Sequence, residues 1–194
     1  FVTINYRLGI FGFFAHPELS AESALKTSGN YGILDQIAAL KWVKENIAAF
    51  GGDPNNVTIA GQSAGSYSVA FLQASPMAAG LFHRVIGMSG SPFDGTTRAR
   101  SLASAERAGL RFQESLGCSN LEELRDLSGD VVMSQSFPDR LPVAVDGKFL
   151  KRSVAETFAS GEHHDVPAML GFTKDENLWT IGHAATVEEF QSRV

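Results

Sequence analysis

The feature that most narrows the possible folds is the order of apolar segments between residues 57 and 88. Val57-Thr58-Ile59-Ala60 is a short β-branched run, Ala64 to Gln73 reads as a helix closed by Ser75-Pro76, and Arg84 to Met88 is a further strand carrying Val85 and Ile86. Two strands joined through a helix lie parallel in one sheet, and a parallel sheet needs helices over both faces. Phe1 to Tyr6 adds a strand-like segment ahead of them, with Arg7-Leu8-Gly9 as its turn. From Tyr31 to Phe50, Ile33, Ile37, Leu40, Val43, Ile47 and Phe50 recur every three or four residues, the spacing of one apolar helix face. Gly51-Gly52 suits the left-handed close of that helix, and Asp53-Pro54-Asn55-Asn56 turns into the next strand. The class is α/β.

Beyond Asp94 the rhythm changes. Thr97 to Leu116 reads as a helix, Leu121 to Leu127 continues in short helical pieces, and Asp146-Gly147 inside Val143 to Phe149 is a hairpin-turn signal. Ser153 to Ser160 is a helix ended by Gly161, and Val166 to Phe172 is an apolar run whose strand must follow Pro167. No repeat or low-complexity tract interrupts the chain.

The 194 residues suit one domain, 44% hydrophobic content supplies a core, and the formal net charge of −5 opposes nucleic-acid binding. No apolar run has the length of a membrane span. Cys118 is the single cysteine, so no internal disulfide forms. Phe1 reads as mid-strand rather than as a natural start, which leaves compartment and oligomeric state open.

Chemistry concentrates at Gly61-Gln62-Ser63-Ala64-Gly65, a G-x-S-x-G pentapeptide with a strand before it and a helix after it. Small residues at such a junction also serve plain close packing, so the flanking elements carry the assignment. A tight turn would expose the Ser63 hydroxyl at the N-terminus of a helix, where the Ala64 N–H favours negative charge. A serine hydroxyl needs a histidine base and a carboxylate to orient it. Asp175-Glu176, shortly after the last strand, supplies the candidate acids. The histidines fit less well: His16 and His83 precede the acids, His163 and His164 form a loop pair, and His183 follows Glu176 too closely to reach another strand end. His163-His164-Asp165 lacks Cys or further His at metal-ligand spacing, so no metal is expected there, and serine hydrolysis requires no organic cofactor at any step. Asn56-Val57-Thr58 is formally a glycosylation sequon but runs into a strand.

Taken together, Asn5-Tyr6-Arg7-Leu8-Gly9, Gly29-Asn30-Tyr31-Gly32, Leu34-Asp35-Gln36, Phe50-Gly51-Gly52-Asp53-Pro54, the pentapeptide and Leu81-Phe82-His83-Arg84 resemble, in order, the blocks of the type-B carboxylesterases. That family includes cholinesterases and bacterial p-nitrobenzyl esterases. Val145-Asp146-Gly147-Lys148-Phe149-Leu150 and Gly171-Phe172-Thr173-Lys174-Asp175-Glu176 resemble its later blocks. The resemblance implies an α/β-hydrolase fold, incomplete here, with residues 1–194 as an internal part of one catalytic domain. It also implies hydrolysis of small-molecule esters through an acyl-serine. Ser63 would be the nucleophile, Glu176 the triad acid, and Ala64 one oxyanion-hole donor. The glycine-rich oxyanion loop would lie before Phe1 and the histidine beyond Val194, so the isolated piece would be inactive.

Gln62 stands where the family commonly has Glu, removing a charge near the histidine. Asn177 replaces a usual Gly. Ser89 resembles a buried serine that supports the acid, and Cys118 resembles half of a disulfide found in animal members, which without a partner favours a bacterial-like esterase. Two rivals share these residues: a catalytically silent adhesion or interaction member of the fold, and an enzyme for amides or thioesters.

Overall fold

The computed structural model describes residues 1–90, 99–135, 137, 143–174, 176, 186 and 188. Its centre is a three-stranded parallel sheet in the order β1 (Thr58–Gln62), β2 (Arg84–Met88), β5 (Ala168–Gly171). Gly61 stands opposite Gly87 and Gln62 opposite Met88, while Met88 pairs with Gly171 on its other side. The three strands therefore finish level, at one edge of the sheet.

Helix α4 (Ala64–Ala74) packs on β1 and β2, and α3 (Tyr31–Asn46) and α8 (Val154–Ala159) pack against α4. Ile33, Ile37 and Leu40 from α3 meet Val69 and Leu72 from α4, Val85 from β2, and Phe149, Leu150 and Val154 in one buried cluster. The expected apolar stripe on α3 is real but shorter than the sequence suggests. The last turn tightens into a 3-10 helix (Ile47–Phe50), and Phe50 swings outward to lie 5.7 Å from the Trp42 ring. Gly51, at φ 79°, closes it in the left-handed conformation.

A second cluster gathers Phe14, Phe112, Cys118, Leu121 and Leu124. It joins α1 (Gly9–Phe13) and α2 (Pro17–Glu22) to α5 (Leu102–Ser115), α6 (Leu121–Asp126) and α7 (Gly129–Ser134). Helix α5 comes so close to the chain at Ala15 that a Cβ on Gly109 would overlap the Ala15 carbonyl oxygen.

Several expectations are corrected. Phe1 to Tyr6 forms no strand: it makes no ladder with the described strands and instead flanks an approximately 840 Å³ cavity bounded by β1, α3 and α4. The expected helix from Thr97 begins at Leu102, because β3 (Ala99–Ser101) pairs parallel with β4 (Val143–Val145) and leaves Ser101 as the N-cap. Thr97 itself lies outside the described residues. Asp146-Gly147 makes no hairpin: Asp146 Oδ1 accepts from the N–H groups of Lys148, Phe149 and Leu150, folding the chain so that Phe149 and Leu150 enter the core.

Residues of the quoted sequence blocks bond to distant parts of the chain. Arg7 donates to Asp35 from Nε at 2.8 Å and Nη2 at 2.7 Å, and Gln36 Nε2 donates to Ser68 Oγ at 3.1 Å. Asn30, buried, donates to the Ala144 carbonyl at 2.9 Å and accepts from the Ala144 N–H at 2.8 Å. Separate stretches of chain are thereby tied to the frame that carries the strand ends. No helix among the described residues is long and apolar enough to cross a membrane.

Candidate active site

The level strand ends hold the candidate residues. Ser63 follows β1 directly, with φ 51° and ψ −114°, a region that non-glycine residues rarely occupy. The turn persists because both sides hold it: the Ser63 N–H donates to the Met88 carbonyl at 2.8 Å, and the Ser63 carbonyl accepts from the Tyr67 N–H at 3.1 Å in the first turn of α4. Gly61 must lack a side chain, since a Cβ there would lie 2.3 Å from the Gly65 carbonyl. Ser63 and Ala64 are exposed. As the first residue of α4, Ala64 has an N–H without an intrahelical acceptor, at the positive end of the helix dipole. Gln62 is exposed at the end of β1 beside them.

Glu176 lies five residues past the end of β5, partly buried. Ser89 Oγ donates to its Oε2 at 2.7 Å, and the Thr173 N–H donates to the same oxygen at 3.0 Å. These bonds, Ser89 first, hold the Glu176 carboxyl below the usual carboxylate range. Ser89 has φ 54°, a second strained non-glycine residue, at the end of β2 between the strands carrying Ser63 and Glu176. Thr173 was not singled out from the sequence. The signal was the Thr-x-x-Glu spacing of Thr173 and Glu176, the pattern of a capping box.

The described histidines sit elsewhere. His83 precedes β2 at the opposite end of the sheet and accepts from the Val57 N–H at 3.1 Å. His164 bonds the Ser75 carbonyl at 2.7 Å beyond the far end of α4, and His163 stacks on Phe158 with ring centres 4.1 Å apart. His16 is fully buried as the N-cap of α2, accepting from the Glu18 N–H at 3.2 Å. None is positioned by these contacts at the strand ends of Ser63. Asp175, Asn177 and His183 lie outside the described residues. Among the described residues no cluster of three or more His, Cys, Asp or Glu is placed to hold a metal ion, and Cys118 is free and buried.

The Carboxylesterase family profile matches residues 1–193. The chain belongs to that family. It is 38% identical to the fumonisin B1 esterase of Sphingopyxis macrogoltabida over 182 residues, covering 90% of this chain and 33% of that protein. It is 40% identical to an acylcarnitine hydrolase of Mus musculus, covering 93% of this chain and 32% of that protein. Among solved structures, the carboxylesterase EST55 of Geobacillus stearothermophilus superposes with a TM-score of 0.76 at 42% identity, covering 91% of this chain and 37% of that one. The architecture is accordingly that of the α/β hydrolases. The chain spans about a third of the length of the curated relatives it matches.

Proposed function

We propose that the protein is a serine carboxylesterase that hydrolyses small-molecule esters through an acyl-serine. The observation that carries this reading is the exposed Ser63 held at φ 51° on a strand-to-helix turn, with the Glu176 carboxyl, held below its usual range, on the segment that follows the strand two positions across the sheet. Family membership, and relatives named for esters, support it.

In the proposed reaction Ser63 Oγ bonds to the ester carbonyl carbon while a histidine takes its proton. That histidine is assigned to polypeptide beyond Val194, the order in which the family carries it. Negative charge on the carbonyl oxygen is met by the Ala64 N–H together with donors from a further loop. The C–O bond to the leaving alcohol then breaks as the imidazolium returns the proton to it. Water repeats the attack on the acyl-serine, releasing the acid and restoring Ser63. Glu176 keeps the imidazole in one orientation and stabilises its charged form. Gln62, uncharged, adds no negative charge of its own to this site.

The test is intact-mass spectrometry before and after an organophosphonate probe, with the adduct mapped. One adduct on Ser63 in the full-length protein, absent in Ser63→Ala, is expected, and the 194-residue chain alone should remain unlabelled. An unlabelled full-length protein would overturn the reading in favour of a silent interaction protein. Labelling of the 194-residue chain would place a working base inside it. Ester, amide and thioester substrates compared on the labelled enzyme separate the remaining chemistry.

A further inference from the structure

The end of β2 does more than separate the nucleophile from the acid. Met88, Ser89 and Gly90 bond alternately to the two sides. The Met88 carbonyl accepts from the Ser63 N–H at 2.8 Å, and the Gly90 carbonyl accepts from Ser66 Oγ at 2.7 Å, both on the nucleophile's side. Between them, the Ser89 N–H donates to the Gly171 carbonyl at 2.8 Å and Ser89 Oγ donates to Glu176 at 2.7 Å, both on the acid's side. The left-handed conformation of Ser89 turns its side chain toward Glu176 while its neighbours' carbonyls stay with α4 and Ser63.

Ser66 is the member of this bracket that nothing else explains. It lies three residues after Ser63, one turn into α4, and is 3% exposed. A helical serine commonly returns its hydroxyl to its own helix. Ser66 sends it to a different element instead. Space for it exists only because two glycines lie opposite. A Cβ on Gly87 would stand 2.8 Å from Ser66 Oγ, and one on Gly90 would stand 3.0 Å from Ser66 Cβ and 2.6 Å from the Ser63 carbonyl oxygen.

We infer that Ser66 is a positioning residue for the hydrolysis: through Gly90 it fixes the Met88-Ser89-Gly90 bracket, and so sets the placement of Glu176 relative to Ser63. The inference rests on the proposed roles of Ser63 and Glu176. It assigns Ser66 no contact with substrate.

The test uses the full-length protein with Ser66→Ala, Ser89→Ala and the double variant. It measures kcat and KM on p-nitrophenyl acetate, the phosphonylation rate of Ser63, and hydrogen exchange of the Ser63 and Ser89 amides. Ser66→Ala is expected to lower kcat and phosphonylation about tenfold, the scale of a small misplacement of reacting groups, with KM within about twofold. Exchange of both amides should quicken. With Ser89 already Ala, the further loss on removing Ser66 should shrink to about twofold, because the link it tightens is gone. Independent, multiplicative losses would overturn the inference, as would unchanged kcat with unchanged exchange, or a loss confined to thermal stability. A wild-type protein that takes no phosphonate would refute the role of Ser63 itself. In that event unchanged exchange at both amides in Ser66→Ala would refute the bracket separately.

Discussion

The two glycines of the pentapeptide look equivalent in the sequence, and the structure makes them unequal. A Cβ on Gly61 would stand 2.3 Å from both the carbonyl carbon and oxygen of Gly65, and 2.7 Å from its Cα. Carbon atoms sit comfortably at about 3.5–4.0 Å, so Gly61→Ala is short by at least about 1.2 Å against the Gly65 carbonyl carbon and about 0.8 Å against its Cα. Backbone yields less readily than the tip of a side chain. The cost therefore belongs at the upper end of the overpacking range, about 3 kcal/mol. For a chain of this size 1 kcal/mol moves the thermal midpoint by about 2–4 °C, giving a fall of about 6–12 °C. A Cβ on Gly65 meets nothing within 4 Å, in ordinary helical conformation. Gly65→Ala should gain helix propensity, up to about 1 kcal/mol, and so raise the midpoint slightly. Thermal unfolding followed by circular dichroism separates the two. Equal losses in both variants, or an unchanged midpoint in Gly61→Ala, would refute the argument that the approach of Gly61 to Gly65 holds the turn.

Other perturbations have outcomes of similar definition. Asn30→Ala leaves the Ala144 N–H and C=O buried without their partner and should cost about 2–4 kcal/mol in urea denaturation. Phe112→Ala empties the centre of the second cluster, where Phe112 is 0% exposed, and should cost about 3–5 kcal/mol while leaving phosphonylation of Ser63 intact. Because Ser89 and then Thr173 depress the Glu176 carboxyl, any stability it gives is complete above the ordinary Glu value of about 4.3 and is lost as pH falls through the lowered folded value. Ser89→Ala should move that loss to higher pH, read by an NMR titration of the Glu176 carboxyl.

Local patterns carried what local physics decides. The parallel strands at residues 58–62, 84–88 and 168–171, the helix after Ser63, and the turn at Gly51 were legible because each rests on neighbouring residues. Asp146-Gly147 misled because the same short acid that opens a hairpin can gather three successive amides, and burial of Phe149 and Leu150 selects the second use. The pairing of β3 with β4 spans more than forty residues of chain, and no short window contains it. At the site, Ser63 was legible from its flanking elements, and Glu176 from its place after a strand together with the family resemblance. Ser66 was not, because its partner Gly90 becomes a neighbour only through sheet register, and Thr173 was not, because its Thr-x-x-Glu spacing with Glu176 marks a helix cap as readily as a site.

Ser63 follows β1 and the segment bearing Glu176 follows β5, with β2 between, so the sheet also acts as a ruler. Adjacent strands lie about 4.8 Å apart, so two steps open about 9.6 Å between the chains that present the two side chains. The five residues after β5 then carry Glu176 part of the way back, to the Ser89 hydroxyl at the end of β2, 2.7 Å from its carboxylate. The interval between the strand ends is set by backbone hydrogen bonds rather than by side-chain packing, and only the last step to the carboxylate rests on a side chain. Substitutions throughout the apolar core can therefore loosen the protein without altering the interval, whereas a change in strand pairing would alter it at once.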